Sequence, residues 1–343
     1  MFPAGFTRKM VMRLNNNILE LDNVKKYFYI KSRKLFKKPS VLKAVDDISL
    51  KVARKETVGL VGESGCGKTT LGRVISRIYN PSGGEEFFYE KNGNPLNVFS
   101  LEKNDLKLFK RKCQMVFQDP FSSLNPRMTV KEIVSEGPII HNMFSKEELL
   151  DKISDVLEKV GLRPEYRTRY PHEFSGGQRQ RISVARSLIM APELIVADEP
   201  VSALDVSIQA QIINLLMDLR DDFGLTYIFI SHDLSVVRYI SDRIVVMYLG
   251  KIVEMAKPDE IFNNAIHPYT VALLSSIPEI DPDIAKTKKK ELIEGDPPSP
   301  IDPPECCRFA DRCSYAQKQC FESVPELTEA SPGHFVACPI MLK

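Results

Sequence analysis

Residues 62–69 place glycines, a lysine and a threonine at a spacing that suits phosphate binding. Their sequence, GESGCGKT, fits the pattern G-x-x-x-x-G-K-[ST] and lies between an apolar run and a segment with helical periodicity. Glycines let backbone N–H groups wrap an anion, and the N-terminus of the following helix favours its negative charge. The segment therefore predicts a nucleotide site with contacts from Gly62, Ser64, Gly65, Cys66, Gly67, Lys68, Thr69 and Thr70.

Two consecutive carboxylates, Asp198 and Glu199, follow the apolar run at residues 194–197. Lys68 would reach the β- and γ-phosphates, while the Thr69 hydroxyl and Asp198 would hold Mg²⁺, directly or through water. Glu199 then stands where a carboxylate can polarise the attacking water. The order and spacing of these residues favour ATP hydrolysis over an acidic strand-to-loop turn.

A single histidine, His232, follows a second apolar run at residues 227–230. A lone histidine is more often structural than catalytic. Its place after a buried strand, however, brings its imidazole to the edge of a parallel sheet where ligands bind. The sequence therefore predicts that His232 approaches the γ-phosphate.

The elements around these residues alternate between strand and helix. Residues 19–29 and 42–52 have β patterns and predict an antiparallel layer, whereas residues 57–61 predict a strand and residues 69–79 a helix. Residues 101–170 are mainly helical in pattern, with residues 146–160 at clear helical spacing, and predict a subdomain inserted into the core.

The apolar runs at 194–197 and 227–230 are separated by a helical segment at 208–219. Continuous apolar runs suit strands buried on both faces, so a mainly parallel sheet with crossover helices is expected. The predicted fold class is α/β: a P-loop NTPase core with an N-terminal antiparallel β layer, a helical subdomain and a Pro/Cys-rich C-terminal extension. Residues 17–260 would form the nucleotide-binding domain and residues 261–343 the extension.

Composition limits the location of the chain. The 343 residues carry a formal charge of +2, with basic runs at 31–38 and 286–290 that we interpret as solvated loops. No apolar run approaches the length that spans a bilayer, and residues 1–17 lack the apolar centre of a signal peptide. The chain is therefore expected in the cytoplasm, where disulfides are rare.

A further motif makes a resemblance specific. The sequence SGGQRQR at residues 175–181, shortly before ADEP at 197–200, resembles the signature motif of ABC ATPases. In that family this loop, which precedes a helix predicted at 180–190, caps the γ-phosphate bound by a second subunit. The resemblance implies nucleotide contacts from Ser175, Gly176, Gly177 and Gln178.

Other positions resemble the family one by one over residues 19–255. Gln118 resembles the Q-loop glutamine, a catalytic residue and Mg²⁺ ligand, Asp205 resembles the end of the D-loop, and His232 resembles the switch histidine. Phe28, with Tyr27 as the alternative, would stack on adenine. About a hundred residues separate Lys68 from Ser175, and the chain has one set of motifs. ABC proteins of DNA repair, with a long coiled coil, and of translation, with two ATPase halves, are disfavoured.

The C-terminal segments IHPYT (266–270), EGDPPSP (294–300) and CRFADRCSYA (307–316) resemble the extension of oligopeptide and dipeptide importer ATPases, closest to the F-type subunit. This resemblance implies a second ATPase subunit of the paralogous D type, two membrane-spanning permease subunits and an extracytoplasmic substrate-binding protein, with no nucleic acid. The chain would then sit at the cytoplasmic face of the membrane. Peptide is the expected cargo, with nickel or oligosaccharide as the alternative.

Five of the seven cysteines crowd into the last forty residues, at positions Cys306, Cys307, Cys313, Cys320 and Cys338. The spacing from Cys307 to Cys338 matches neither the ferredoxin pattern nor a common C-x2-C zinc site. For some relatives the resemblance implies a 4Fe–4S cluster, held here by Cys307, Cys313, Cys320 and Cys338; structural zinc or free thiols stay open. Cys306 stands where relatives usually have glycine and is an alternative first ligand.

Overall fold

The computed structural model describes residues 16–30, 39–90, 94–276 and 298–342. Its strands fall into two sheets. In chain order they are β1 (Asn17–Ile30), β2 (Ser40–Ala53), β3 (Thr57–Val61), β4 (Gly83–Tyr89), β5 (Pro95–Asn97), β6 (Cys113–Val116), β7 (Leu194–Asp198), β8 (Thr226–Ile230), β9 (Arg243–Tyr248), β10 (Lys251–Ala256), β11 (Thr328–Ser331) and β12 (His334–Val336).

The helices cover both faces of the larger sheet and build the segment between β5 and β7. They are α1 (Lys68–Ile75), α2 (Lys103–Lys112), α3 (Pro120–Ser123), α4 (Val130–Ile140), α5 (Lys146–Lys159), α6 (Gly176–Leu188), α7 (Val206–Phe223), α8 (Leu234–Ile240), α9 (Pro258–Asn263) and α10 (Pro268–Ser275). Within the described ranges, no helix combines the length and apolar character needed to cross a bilayer.

The larger sheet has eight strands in the order β11-β12-β10-β9-β3-β8-β7-β6. The five strands from β9 to β6 pair in parallel, and their central members β3, β7 and β8 are buried along their whole length. In β7, Ile195 and Ala197 join one apolar cluster, whereas Leu194 and Val196 join another. A sheet with a core on each face needs such continuous apolar strands, which confirms the predicted α/β class.

The smaller sheet, in the order β2-β1-β4-β5, is antiparallel throughout. Apolar residues of β1 and β2, such as Leu19 and Leu50, share a cluster with Leu60 of β3 and Leu71 of α1. The predicted N-terminal antiparallel layer is confirmed, and it lies beside the phosphate-loop helix.

Three boundaries differ from the sequence prediction. Residues 113–116 lie inside the segment predicted as mainly helical, yet they form β6, the edge strand of the larger sheet. Four residues are too few to show a β period, so pairing with β7 decides their state. Helix α1 ends at Ile75 because Arg77 adopts φ +54°. Helix α6 begins at Gly176 because Ser175 caps it, so the signature glycines lie inside its first turn.

The C-terminal extension is joined to the larger sheet. Strand β12 pairs with β10 through Glu254 opposite Val336, and β11 pairs with β12. Ile301 forms a bridge with Leu42 of β2. The basic runs at 31–38 and 286–290 lie outside the described residues. The boundary predicted at residue 260 falls inside α9 and stays a prediction.

Candidate active site

The loop between β3 and α1 is shaped by glycines that lie against neighbouring backbone. Gly62 has φ +148° and Gly67 has φ +111°. A Cβ on Gly62 would lie 2.1 Å from the Met247 carbonyl oxygen, and one on Gly67 would lie 2.1 Å from that of Ala44. No other residue fits either position, so the loop is packed between β9 and β2 with its outer residues, Ser64 and Gly65, exposed.

Lys68 folds back into the loop that it follows. Its Nζ donates to the carbonyl oxygens of Gly62, at 2.7 Å, and of Glu63, at 3.0 Å. The side chain is buried, as is that of Cys66, whose thiol pKa is raised by burial. The N–H groups of Lys68, Thr69 and Thr70 begin helix α1, where backbone donors have no partner within the helix. Lysine and free donors together can meet phosphate oxygens.

The Thr69 hydroxyl donates to Asp198 Oδ1 at 2.8 Å. Asp198 is only 1% exposed, and burial raises the pKa of its carboxyl, an effect that the Thr69 hydrogen bond opposes. Lys68 and Glu199 also act on this carboxyl electrostatically, so the phosphate loop and the end of β7 form one site. Two adjacent oxygen donors fit Mg²⁺, which binds proteins through one or two such groups and takes its other ligands from phosphate and water.

Three predicted catalytic residues meet at one carboxylate oxygen. Glu199 Oε2 accepts from the Gln118 side-chain amide at 2.8 Å and lies 3.2 Å from His232 Nδ1. Glu199 adopts φ +45°, and its N–H donates to the carbonyl of Ile230, which holds the turn after β7 against the end of β8. The imidazole of His232 is 58% exposed and open to a ligand. The arrangement can hold a carboxylate base at the edge of the sheet.

The signature residues occupy a different part of the chain. Ser175 and Gln178 cap helix α6 reciprocally. A Cβ on Gly177 would lie only 2.5 Å from the side chain of Ile208. Asp205 immediately precedes α7. Across the described residues, no hydrogen bond joins residues 175–178 to residues 62–70. The structure therefore brings together the phosphate loop, Asp198, Glu199, Gln118 and His232, but not the signature loop.

Comparisons with known proteins show the family of this chain. Residues 45–202 match the family described as ABC transporter, and residues 253–320 match the oligopeptide/dipeptide transporter C-terminal region. The chain is 51% identical over 321 residues to the oligopeptide transport ATP-binding protein AppF of Bacillus subtilis (strain 168), covering 94% of this chain and 96% of AppF. The chain belongs to the ABC transporter family.

A second relative and two solved structures are also similar to this ABC ATPase. The dipeptide transport ATP-binding protein DppF of Haemophilus influenzae is 48% identical over 324 residues, covering 94% of this chain and 97% of DppF. The ATP-binding cassette MJ0796, solved as a dimer in a post-hydrolysis state bound to ADP and Pi, is 29% identical with a TM-score of 0.60, covering 70% of this chain and 98% of that one. CbiO1 from Clostridium perfringens gives 26% identity and a TM-score of 0.61 over 73% of this chain and 92% of its own.

The two candidate adenine-stacking rings of this ABC ATPase lie in different contacts. Phe28 packs edge-on against Tyr79, with ring centroids 5.9 Å apart. The Tyr27 hydroxyl donates to Asp46, whose backbone N–H donates to Gly250; Gly250 in turn donates to the carbonyl of Cys66 in the phosphate loop. Both rings are half-buried, and the choice between them stays a prediction.

The C-terminal cysteines of this ABC ATPase lie near one another. Burial raises the pKa of the Cys307 thiol to about 11, and Cys320, Cys338 and Cys313 add to the rise electrostatically. The pKa of the Cys306 thiol is raised by burial, and Asp311 and Cys320 add to this rise electrostatically. Within the part of the chain that the structure describes, no group of three His, Cys, Asp or Glu side chains is arranged to hold a metal ion. The thiol positions therefore do not support the 4Fe–4S prediction.

Sequence reasoning did not single out Glu63, Tyr269 or Arg312 of this ABC ATPase. Glu63 occupies a position that the phosphate-loop pattern leaves free, and the other two lie in the extension. The available signal was weak: both extension residues belong to segments that carry the importer resemblance. Their contacts with the phosphate loop become visible only after folding.

The nucleotide site combines buried residues, such as Lys68 and Asp198, with exposed ones, such as Ser64 and Gly65. A cavity of about 940 Å³ lies instead at the opposite ends of β7 and β8, between α5 and the C-terminal end of α7, with Val156, Phe223 and Thr226 in its wall. None of the predicted nucleotide contacts lines it. The exposed residues Ser64, Gly65 and His232 leave this side of the site open to another surface.

Proposed function

We propose that this chain is the ATP-hydrolysing subunit of a peptide importer. The observation that carries the proposal is the meeting of Gln118, Glu199 and His232 at one carboxylate oxygen, beside the Thr69–Asp198 pair. Phosphoryl transfer depends on positioning and charge stabilisation, and these residues supply both. ATP hydrolysis by the purified full chain with its transporter partners tests the chemistry directly.

Each site residue has a distinct part in this proposal. The phosphate loop and Lys68 bind the triphosphate, Thr69 and Asp198 with Gln118 hold Mg²⁺, and Glu199 orients the attacking water. When bound, Mg²⁺ neutralises charge on the phosphates. His232 would bind the γ-phosphate, with Glu199 holding its imidazole.

A second ATPase subunit completes the nucleotide site. Residues 62–70 and 175–178 lie in separate parts of one chain, which supports binding of ATP between the phosphate loop of one subunit and the signature loop of its partner. The MJ0796 cassette was solved as a dimer, which supports the same arrangement. ATP binding then closes the pair, and hydrolysis reopens it. The partner is a D-type paralogue or a copy of this chain.

The helical segment after Gln118 is the proposed contact with the permease subunits, at the cytoplasmic face of the membrane. Phe121 of α3 and Ile139 and Ile140 of α4 are exposed apolar residues. Arg179 of the signature helix stacks 4.0 Å over the Phe121 ring, which connects this surface to α6. Cysteine crosslinking from residues 119–160 should reach a permease subunit; crosslinks confined to other surfaces would contradict the assignment.

Peptide cargo is supported by the C-terminal region and by the names of AppF and DppF. Deletion of the gene should abolish uptake of labelled di- or oligopeptide, and the wild-type chain, but not a Glu199→Gln variant, should restore it. Loss of nickel or oligosaccharide uptake with normal peptide uptake would favour the alternative cargo. Co-purification with ribosomes or nucleic acid and without permeases would favour a soluble ABC ATPase.

A further inference from the structure

Glu63, the second residue of the phosphate loop, makes polar contacts through its carbonyl, its N–H and its carboxylate. Its carbonyl accepts from Lys68, its N–H donates to the Tyr269 hydroxyl at 2.8 Å, and its carboxylate accepts two hydrogen bonds from Arg312, at 2.9 and 3.2 Å. Tyr269 lies on α10 and Arg312 lies in a 3₁₀ turn beside Cys313. The contacts of its N–H and of its carboxylate therefore both come from the C-terminal extension.

The two extension residues are themselves fixed by packing. Arg312 also donates to the Tyr248 hydroxyl at 3.1 Å, and its side chain is only 8% exposed. Tyr269 is buried, with its ring centroid 4.6 Å from that of Tyr248 and 5.4 Å from that of Phe309. A bidentate arginine–carboxylate pair with locked side chains sets orientation as well as energy. The extension therefore holds the phosphate loop through two side chains, Arg312 and Tyr269, whose orientations are fixed; we call this pair the clamp.

The lysine of the loop also has a donor to spare for a phosphate. Its ammonium group has three donors, and two of them bond to the carbonyl oxygens of Gly62 and Glu63. The contacts of Glu63 with Tyr269 and Arg312 involve other atoms and do not compete with phosphate for Lys68. They can hold the first half of the loop whether or not Lys68 moves.

Charge gives the clamp a second effect. Glu63 places a carboxylate in a loop that binds a triphosphate, and like charges at short range repel. The Arg312 guanidinium neutralises that carboxylate through both of its oxygens. Removing the arginine would leave an unpaired negative charge next to the phosphates.

We infer that Arg312 and Tyr269 are positioning residues of the ATP site, through which the C-terminal extension sets the phosphate loop at Glu63. The inference rests on the proposed phosphate-loop site and adds a contribution from outside the nucleotide-binding core. It also explains why a loop position that the phosphate-binding pattern leaves free carries a paired glutamate.

The test compares ATPase kinetics of assembled transporters that carry variants of the full chain. Arg312→Gln should raise the KM for ATP by about tenfold with a smaller change in kcat, the size expected for loss of a charge-assisted hydrogen bond. Tyr269→Phe, which keeps the ring, should raise KM by about threefold. Lys318→Gln, at an exposed position of the same extension, is the matched control and should leave KM unchanged.

Rescue separates charge and positioning from loss of fold. The double variant Arg312→Gln/Glu63→Gln should recover only part of the ATP affinity, because no unpaired carboxylate remains but the bidentate pair that positions the loop is still missing. Arg312→Gln and Tyr269→Phe both within about twofold of wild type in KM would overturn the inference, as would a loss that Glu63→Gln does not relieve. If Arg312→Gln lowers the amount of folded protein, Tyr269→Phe alone decides. A wild-type transporter without ATP hydrolysis would instead contradict the proposed function.

Discussion

The side-chain amide of Gln118 donates to the carboxylate of Glu199 across 2.8 Å. Gln118 follows the edge strand β6, and Glu199 follows the neighbouring strand β7, so this bond joins the start of the helical segment to the hydrolytic end of the core. His232 lies 3.2 Å from the same Glu199 oxygen. A movement of the helical segment that displaced Gln118 would therefore change the environment of the proposed base.

Replacement of Glu199 by Gln should preserve ATP binding and lower turnover by about 10² to 10⁴, the contribution of a positioned general base. The amide keeps the shape of the carboxylate but cannot accept a proton from water. ATP affinity and steady-state hydrolysis in the assembled transporter measure the two effects. Glu322→Gln, at an exposed site of the extension, is the control, and near-normal turnover of Glu199→Gln would refute the role.

Replacements of Gln118 and His232 by Ala should be non-additive. Both side chains contact the same oxygen of Glu199, and residues that share a partner couple energetically. The double variant should lose less turnover than the product of the single losses, by at least about threefold. Hydrolysis rates of the four proteins give the coupling. Gln319→Ala, in the distant extension, combined with His232→Ala should show simple multiplication; multiplication for the Gln118 pair would contradict the shared contact.

Glu86 of β4 is a buried carboxyl outside the active site, and replacement by Gln should stabilise the protein near neutral pH. Burial raises its pKa well above the usual value, and within the described residues neither carboxylate oxygen has a hydrogen-bond partner. The unfolded chain therefore loses this proton at lower pH than the folded chain, so stability falls as pH rises from about 4.3 towards the folded pKa. The Glu86→Gln variant has no carboxyl proton to lose in this pH range, so its stability does not fall for this reason.

Urea unfolding across this pH range measures the Glu86 effect. Glu86→Gln should exceed wild type in free energy of unfolding by more near neutral pH than near pH 4, with a difference of about 1.4 kcal/mol for each unit by which the folded pKa of Glu86 exceeds the unfolded one. Glu85→Gln, the exposed neighbour on the same strand, should show no such pH-dependent gain. A wild-type protein with the same pH slope as Glu86→Gln would show that the carboxyl titrates normally.

Metal and sulfide content tests the 4Fe–4S cluster that the importer resemblance implies and that the thiol positions do not support. A cluster would give about four iron and four sulfide per chain, with Cys307 as its first ligand and Cys306 as the alternative. Cys307→Ser should then lose the iron, and Cys306→Ser should keep it. Metal and sulfide analysis after anaerobic purification decides; zinc alone, or neither iron nor sulfide, would remove the cluster.

The sequence by itself determined the parts that depend on local patterns. The glycine spacing of residues 62–69, the apolar runs before Asp198 and His232, and the SGGQ signature specified strands, a phosphate loop and the residues of its chemistry. The predicted central strands agree with the observed ones because a strand buried on both faces must be continuously apolar. The order of these strands in the sheet brings Gln118, Glu199 and His232 together.

Only the tertiary structure decided contacts between segments far apart in the chain. Strand β6 is too short to show a period and exists because β7 pairs with it. The C-terminal extension adds β12 to the larger sheet. It also places Arg312 in contact with Glu63, which lies 249 residues earlier in the chain. Spacing patterns report neighbours along one helix or strand, whereas a salt bridge between distant segments depends on how the whole chain packs. Eight residues, 62–69, were enough to predict the phosphate loop, but the contacts of Tyr269 and Arg312 with that loop could not be predicted from the sequence.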